Sequence, residues 1–497
     1  MPHFVRLKES VLKTQKEPGV KAKALIPKLF HNSKKEGTIT TMTDTIAAVS
    51  TAAGVAGIGI IRISGVDATA VLDKIFRAKS GRVVSELTSR VSYFGYALDT
   101  KHETLDECLC VIYRAPNSYT GETLVELQCH GSPTVLGELL RAAGAAGARP
   151  AKPGEFTKRA FLNGRLDLTQ AEAVIDIIEA ETLGAAMTAA SQLGGSVSRV
   201  IDSGYGDLLD ISAHFHAVVD YPDEDIEDFK PGEYAFKLHR LEEQFSALLD
   251  TFSRGYVLKN GILATIIGRP NVGKSSLLNA LLGFDRAIVT AKPGTTRDTI
   301  EEKLVLGDTL LRLTDTAGIR AADDEAEAEG VLRALKAAAE AELVLAVFDG
   351  SVELTEEDKR TIQTASEAKN AIAVINKSDL PHRLDLSALG DVFAAVVSVS
   401  AKEGAGVQDL VDAVSELTPN MSAAGVGGIL TNARHADGIS RTVEFIRAAI
   451  AAIADGVTPD AALVEVEGAL EALGEVIGKN LREDTIDRIF ARFCVGK

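Results

Sequence analysis

The sequence predicts a multidomain protein of mixed α/β and α+β class, with a helical domain interrupted by an inserted α/β domain. Three observations carry this. A chain of 497 residues, at roughly 100–200 residues per domain, corresponds to about three domains. Residues 261–418 alternate short apolar runs with helical spacing, the pattern of a mainly parallel sheet covered by helices on both faces. The stretches on either side, about 161–258 and about 425–490, share helical spacing and read as two parts of one discontinuous domain. Insertion is tolerated where the host ends lie close together on a surface.

Each element follows from local pattern. Residues 1–41 are Lys-rich and lack periodicity, so they read as a disordered or misassigned N-terminal extension upstream of Met42. Their single Arg, Arg6, argues against a mitochondrial leader, and no apolar stretch suggests a secretory signal. Residues 42–160 combine strand-like runs (Gly57–Ile63, Cys108–Tyr113, Leu124–Cys129) with an Ala-rich helix near 134–146, an α+β pattern. Residues 161–260 form the first helical part, with helical spacing at Thr169–Ile178 and again from His239 to Phe252. An acidic loop, Tyr221–Phe229, separates these and reads as a solvated turn or a dock for a basic partner. The inserted domain is expected over 261–419, with strands Ile262–Ile267, Leu310–Thr314, Leu343–Phe348, Ile372–Ile375 and Val396–Val399. Residues 420–497 return to the helical pattern.

Composition narrows the function. Hydrophobic residues at 46%, charged residues at 25% and a mean hydropathy of +0.09 exclude wholesale disorder and fit a soluble protein. No run of 18 apolar residues exists, so no membrane role is expected. With 8 Tyr, 17 Phe and no Trp the cores must be aliphatic, and an aromatic stacking platform for nucleic acid is not expected. Four Cys are too few for a disulfide framework and indicate reduced thiols in the cytoplasm. Cys108 and Cys110 share a strand face, but no further Cys or His cluster completes a metal site. His214 and His216, two apart on a helix, point to different faces. The first 41 residues carry +6 and the remainder −23, which together give the net −17. So acidic a body suits RNA only through a local basic patch or a basic partner.

The chemistry concentrates in the inserted domain. Gly268-Arg-Pro-Asn-Val-Gly-Lys-Ser275 matches G-x-x-x-x-G-K-[ST] between an expected strand and the expected helix Ser275–Leu282. The loop residues Asn271, Val272, Gly273, Lys274, Ser275 and Ser276 would wrap phosphates with backbone N–H groups. Lys274 would neutralise the β- and γ-phosphates, and Ser275 would ligate Mg2+. Asp315, Thr316, Ala317 and Gly318 end a strand, where Asp315 suits the outer shell of the magnesium and Gly318 the γ-phosphate. Asn376, Lys377 and Asp379 end another strand; the Asp379 carboxylate accepts two N–H bonds from guanine, whereas adenine presents the wrong donor pattern. Ser400, Ala401 and Lys402 bring backbone N–H near the guanine O6. Each tetrapeptide alone is weak; in order, each at a strand end, they indicate a P-loop GTPase using GTP and Mg2+.

This domain resembles the translation-factor-like class of small GTPases. Ile288–Asp298, which contains Thr290, Ala291, Lys292, Pro293, Gly294, Thr295 and Thr296, is similar to the first switch of that class, making Thr296 the second Mg2+ ligand. Ile319 stands where many GTPases carry a water-orienting Gln, and an apolar side chain cannot orient water. The acidic run Asp323–Glu327 downstream reads either as a solvated helix start or as the replacement.

The likeness extends further. Gly59–Gly65, Pro116–Glu122, Val125–Gly131, Pro153–Leu168 and the tail Phe493–Lys497 together resemble the MnmE (TrmE) family of bacterial tRNA-modifying GTPases. Val495 departs from the usual Ile of the family tail, and Thr51–Gly57 from a loop richer in Pro and Arg. The resemblance implies an N-terminal folate-binding and dimerising domain, a helical domain and an inserted GTPase domain. It makes Glu327 the water-activating catalytic residue, and Asn271, Thr290, Lys292 and Thr295 the K+ ligands at a GTPase-domain dimer. It assigns 5-formyl- or methylene-tetrahydrofolate to Arg62, Glu126, Arg165 and Lys497. A cation can hold the glutamate tail of a folate and a carboxylate can pair with pterin N–H groups; a solvent-facing Glu126 and a salt-bridging Arg165 are the competing readings. Cys494 is either a catalytic thiol near the one-carbon unit or a small side chain packing a terminal helix. The implied assembly is a homodimer that joins an MnmG-like FAD- and NADH-using protein as a heterotetramer and modifies tRNA. The flavin belongs to the partner, because no G-x-G-x-x-G opens a βαβ unit here. Two other readings compete: a ribosome-assembly RNA-binding GTPase, and a folate-binding module whose GTPase domain only scaffolds.

Overall fold

The computed structural model describes residues 44–220, 230–283, 302–314, 336, 338–417, 428–456, 458–479 and 481–496. The 1–41 extension, the acidic loop, the first-switch segment with Thr290–Thr296, Asp315–Gly318, Glu327 and Lys497 lie outside the described residues. The chain divides into two compact units: one takes it through Asn163 and then its last residues from Val495, and the other runs Gly164–Cys494.

The first unit is built on a seven-stranded sheet in the order β3-β4-β5-β6-β2-β1-β7. Its strands are β1 (Ile46–Val49), β2 (Ala56–Ser64), β3 (Phe76–Ala78), β4 (Ser92–Leu98), β5 (Thr104–Tyr113), β6 (Leu124–Gly131) and β7 (Arg149–Pro150). Helices α1 (Ala68–Ile75) and α2 (Pro133–Ala146) cover one face, and α3 (Glu155–Leu162) closes the unit. The expected domain boundary at 160 falls inside α3. Alternation explains the burial. Ile61 and Ile63, Cys108, Cys110 and Ile112, and Val125, Leu127 and Cys129 point into one core with Leu72, Leu136 and Leu139. Burial pushes the Cys110 thiol up to about 12, and a hydrogen bond with Cys129 together with burial pushes Cys108 up as well. These protonated thiols act as small apolar core groups.

The second unit contains the helices α4 (Leu168–Glu179), α5 (Leu183–Leu193), α6 (Ser196–Asp220), α7 (Pro231–Asp250) and α8 (Phe252–Asn260), and later α12 (Ala433–Ala454), α13 (Pro459–Ile477) and α14 (Glu483–Phe490). Helix α4 starts on a capping box, in which the Asp167 side chain accepts from Gln170 N and the Gln170 side chain answers to Asp167 N. Phe215, Phe245, Leu241, Ile439, Ile446 and Leu473 build the shared helical core.

Between α8 and α12 lies the inserted α/β domain. Its six-stranded sheet runs β13-β12-β11-β8-β10-β9. The strands are β8 (Ile262–Ile267), β9 (Glu302–Leu306), β10 (Thr309–Leu313), β11 (Leu343–Asp349), β12 (Ala371–Asn376) and β13 (Ala395–Val399), with α9 (Lys274–Leu282), α10 (Glu356–Ser366) and α11 (Val407–Glu416). All pairings are parallel except the β9–β10 hairpin at one edge. Every residue of β11 and β12 is buried, as a strand covered on both faces requires. Strand β9 was not among the strands expected from sequence.

One buried charge network clamps the two ends of the insertion. Glu172 and Asp176 lie on successive turns of α4. Glu172 takes Arg434 Nε at 3.1 Å, Arg434 Nη2 at 2.7 Å and His435 Nε2 at 2.5 Å, all from the start of α12. Asp176 takes Lys259 Nζ at 2.7 Å from α8, just ahead of β8. Just beyond α4, Glu181 accepts from Lys303 Nζ on β9 at 2.6 Å. Among the described residues no helix is long and apolar enough to cross a membrane.

Candidate functional site

Strand β8 delivers the chain into the glycine loop, and α9 begins at Lys274. The loop is shaped by left-handed backbone at Asn271 (φ 64°) and Gly273 (φ 99°). A Cβ at Gly273 would sit 2.2 Å from Asn376 Nδ2, so only glycine lets the base loop approach the phosphate loop this closely. Lys274 Nζ donates to the carbonyls of Gly268 at 2.7 Å and Arg269 at 3.0 Å, which holds its side chain across the loop. Burial, reinforced by Arg269, lowers its pKa. Val272 is buried, while Ser275 and Ser276 are exposed in the first turn of α9, where the helix dipole favours anions.

Asn376, the buried last residue of β12, joins two of the predicted motifs. Its Nδ2 donates to Val272 O at 2.8 Å and its Oδ1 accepts from Ala401 N at 3.0 Å. Ser400 Oγ donates to Asp379 Oδ1 at 2.7 Å, and this hydrogen bond lowers the pKa of the exposed Asp379. The carboxylate is therefore ionised and aimed, ready to accept paired N–H donors. Lys402, next to Ala401 in sequence, is exposed. Lys377, with φ 64°, reaches back to Asp349 Oδ2 at 2.6 Å. Asp349 was not found from sequence.

In the first unit, the predicted Arg62 and Glu126 are cross-strand neighbours on β2 and β6. Arg62 donates to Glu126 Oε1 from Nε at 3.0 Å and from Nη2 at 2.7 Å. The pair is about 15% exposed, with the guanidinium 5.7 Å from the ring centres of both Tyr119 and Phe156. The C-terminal tail docks against the same side chain: Gly496 O accepts from Ser50 Oγ at 3.0 Å and from Arg62 Nη1 at 3.4 Å. Gly496 has φ 95°, and a Cβ there would lie 2.4 Å from Val49 O.

Residues that sequence reasoning passed over frame this cluster. Arg159, fully buried, pairs with Glu122 Oε2 at 3.0 Å, Glu155 Oε1 at 3.1 Å and Asp44 Oδ1 at 2.7 Å. Tyr119 and Thr157 hydroxyls share a 2.9 Å bond, and Asn163 Nδ2 donates to Thr120 O at 2.7 Å. Two of the sequence motifs, Pro116–Glu122 and Pro153–Leu168, are thereby tied together; their charged and hydroxyl residues were the available signal. In the second unit, Arg165 is exposed in the turn ahead of α4. Cys494 is exposed as well, while Phe490 and Phe493 do the packing.

Comparison with known proteins shows the family. The family model described as "GTP-binding protein TrmE N-terminus" matches residues 45–165, and that described as "MnmE helical domain" matches 168–494. The "tRNA modification GTPase MnmE" of Heliobacterium modesticaldum is 43% identical over 91% of this chain and 99% of its own length. Relatives of the same description from Alkaliphilus oremlandii and Symbiobacterium thermophilum are each 42% identical over the same shares. With a phosphate loop bridged to a guanine-type base loop and this match along nearly its whole length, the chain belongs to the MnmE family.

Proposed function

We propose that this chain is a GTP-hydrolysing tRNA modification enzyme of the cytoplasm. With an MnmG-like flavoprotein it adds a carboxymethylaminomethyl or aminomethyl group to C5 of the wobble uridine of tRNA. The observation that carries the reading is the Asn376 bridge, which fixes Asp379, Ser400 and Ala401 relative to the phosphate loop. The name shared by the relatives, tRNA modification GTPase, supplies the process.

In this reading Lys274 neutralises the β- and γ-phosphates, and Ser275 with Thr296 would hold Mg2+, which would supply further charge neutralisation. The left-handed turn at Gly273 fits this, because it opens α9 at Lys274, whose ammonium is held across the loop by the carbonyls of Gly268 and Arg269. Asp315–Gly318 would serve the γ-phosphate. Glu327 aligns the attacking water. Asn271, Thr290, Lys292 and Thr295 would hold K+, which would supply positive charge for hydrolysis in a homodimer. Ala291, Pro293 and Gly294 would also contact the nucleotide, and Lys402 would flank the base.

Arg62 and Glu126 fit a folate, offering a cation and a carboxylate together beside aromatic rings. Arg165 and Lys497 would supply further cations, and Cys494 is the candidate thiol. A bound 5-formyl- or methylene-tetrahydrofolate supplies the one-carbon unit.

Nucleoside mass spectrometry of tRNA from cells lacking this protein tests the reading. The C5-modified wobble uridine should disappear and return with the wild-type chain, but not with Lys274→Ala. Unchanged tRNA nucleosides would refute it and favour a role in ribosome assembly.

A further inference from the structure

We propose that Asp349 is a positioning residue for guanine nucleotide, acting by anchoring the side chain of Lys377. This deepens the reading of Asn376–Asp379 as the base site and rests on it. Asp349 is the last residue of β11, is 6% exposed, and stands in register with Asn376, the last residue of β12. Its two oxygens have separate tasks. Oδ1 accepts from Ser351 N at 2.9 Å and Ser351 Oγ at 2.6 Å, which fixes the carboxylate plane. Oδ2 is left facing Lys377 Nζ at 2.6 Å.

A structural role alone does not account for this arrangement. The two strand ends are already joined by the ladder and by Gly350 N donating to Asn376 O at 2.9 Å. Lys377 lies in the base loop itself, one residue beyond the strand and two before Asp379, with left-handed backbone at φ 64°. A lysine there has a four-carbon apolar stem and many rotamers. Pinning its ammonium to a buried carboxylate converts the stem into a fixed apolar surface beside Asp379. Binding a flat purine then does not have to order that side chain, which spares a cost otherwise equivalent to about 3- to 10-fold in affinity. The Lys377 charge is also neutralised locally, leaving the exposed Asp379 free to accept from the ligand.

The test uses the full chain and a fluorescent GDP, with kcat and KM for GTP measured in parallel. Asp349→Asn keeps the shape and removes the charge. It should raise the GDP Kd and the GTP KM about 5- to 10-fold and leave kcat within 2-fold. Ser351→Ala, a milder change that frees the carboxylate plane, should raise Kd about 3-fold and keeps the test decisive if Asp349→Asn does not fold. On a Lys377→Ala background, Asp349→Asn should add less than 2-fold, because the anchor has nothing left to hold. A Kd unchanged in both single variants, or an effect that adds in full without Lys377, overturns the proposal. Failure of the wild-type chain to bind GDP would instead overturn the base-site reading beneath it.

Discussion

Glu172→Gln removes one charge from the clamp and keeps its shape, so its consequences can be worked from the structure. Glu172 is 7% exposed and faces the Arg434 guanidinium and the His435 imidazole from α12. Burial alone would raise its pKa; the charges and hydrogen bonds of His435 and Arg434 override burial and hold it at about 2, against an ordinary 4.5. At about 1.4 kcal/mol per unit, the carboxylate contributes on the order of 3 kcal/mol to the folded state at neutral pH. Removing one partner of a buried pair costs about 3–5 kcal/mol by an independent route, because Arg434 is left without its counterion. Arg434 would keep the carbonyls of Glu475 at 2.9 Å and Val476 at 3.0 Å but lose its charged acceptor. Because the folded pKa is depressed, this stability is present in full above the unfolded pKa near 4.5 and is lost as pH falls through about 2. Several domains make a single unfolding free energy ill-defined, so the assay is segment-resolved hydrogen exchange across α4 and α12. Protection in these helices should fall on the order of 100-fold in Glu172→Gln at pH 7, and by the same factor at pH 5. Protection within 3-fold of wild type, or a wild-type advantage that grows as the medium turns acid, would refute the reasoning.

The remaining predictions concern hydrolysis and the tail. Glu327→Ala should bind GTP with near-normal affinity while phosphate release falls about 100-fold or more; near-normal turnover would remove Glu327 from the mechanism. In the same assay, replacing K+ by Na+ at equal ionic strength should slow the wild-type rate sharply, and equal rates would exclude the monovalent-cation role. Gly496→Ala forces a Cβ to 2.4 Å from Val49 O at a positive φ, so the tail should leave Ser50 and Arg62. Affinity for 5-formyl-tetrahydrofolate by titration calorimetry should drop about 10-fold with GTP turnover unchanged; intact folate affinity would separate the docked tail from the folate site.

Much of the fold was legible because its signals are local. Continuous apolar runs such as Leu343–Phe348 and Ile372–Ile375 can only be strands buried on both faces, and both lie within strands of the sheet. Strand β9 was missed although Gly307-Asp308 between two apolar runs marks its hairpin turn; as an edge strand it starts with the half-buried Glu302 and Lys303, which dilute the pattern. Strands of two or three residues, like β7 and β3, are shorter than any periodicity can register.

The candidate site divides the same way. The phosphate loop and the base loop are motifs of contiguous residues, so sequence alone locates them. Asp349 and Lys377 meet only because β11 and β12 pair in register, and Arg62 meets Glu126 across 64 residues of chain. The Arg159 cluster gathers Asp44, Glu122 and Glu155 from three separate segments, and no spacing rule announces it.

The central claim is that the inserted domain hydrolyses a guanine nucleotide selected by Asp379. It is tested most directly by turnover of GTP, ATP and XTP by the wild-type chain and by Asp379→Asn. Wild type should prefer GTP over ATP and XTP by about 100-fold or more, and Asp379→Asn should lose GTP turnover while gaining XTP turnover, since an amide donates where the carboxylate accepted. Comparable use of GTP and ATP by the wild-type chain, or undiminished GTP turnover in the variant, would contradict it.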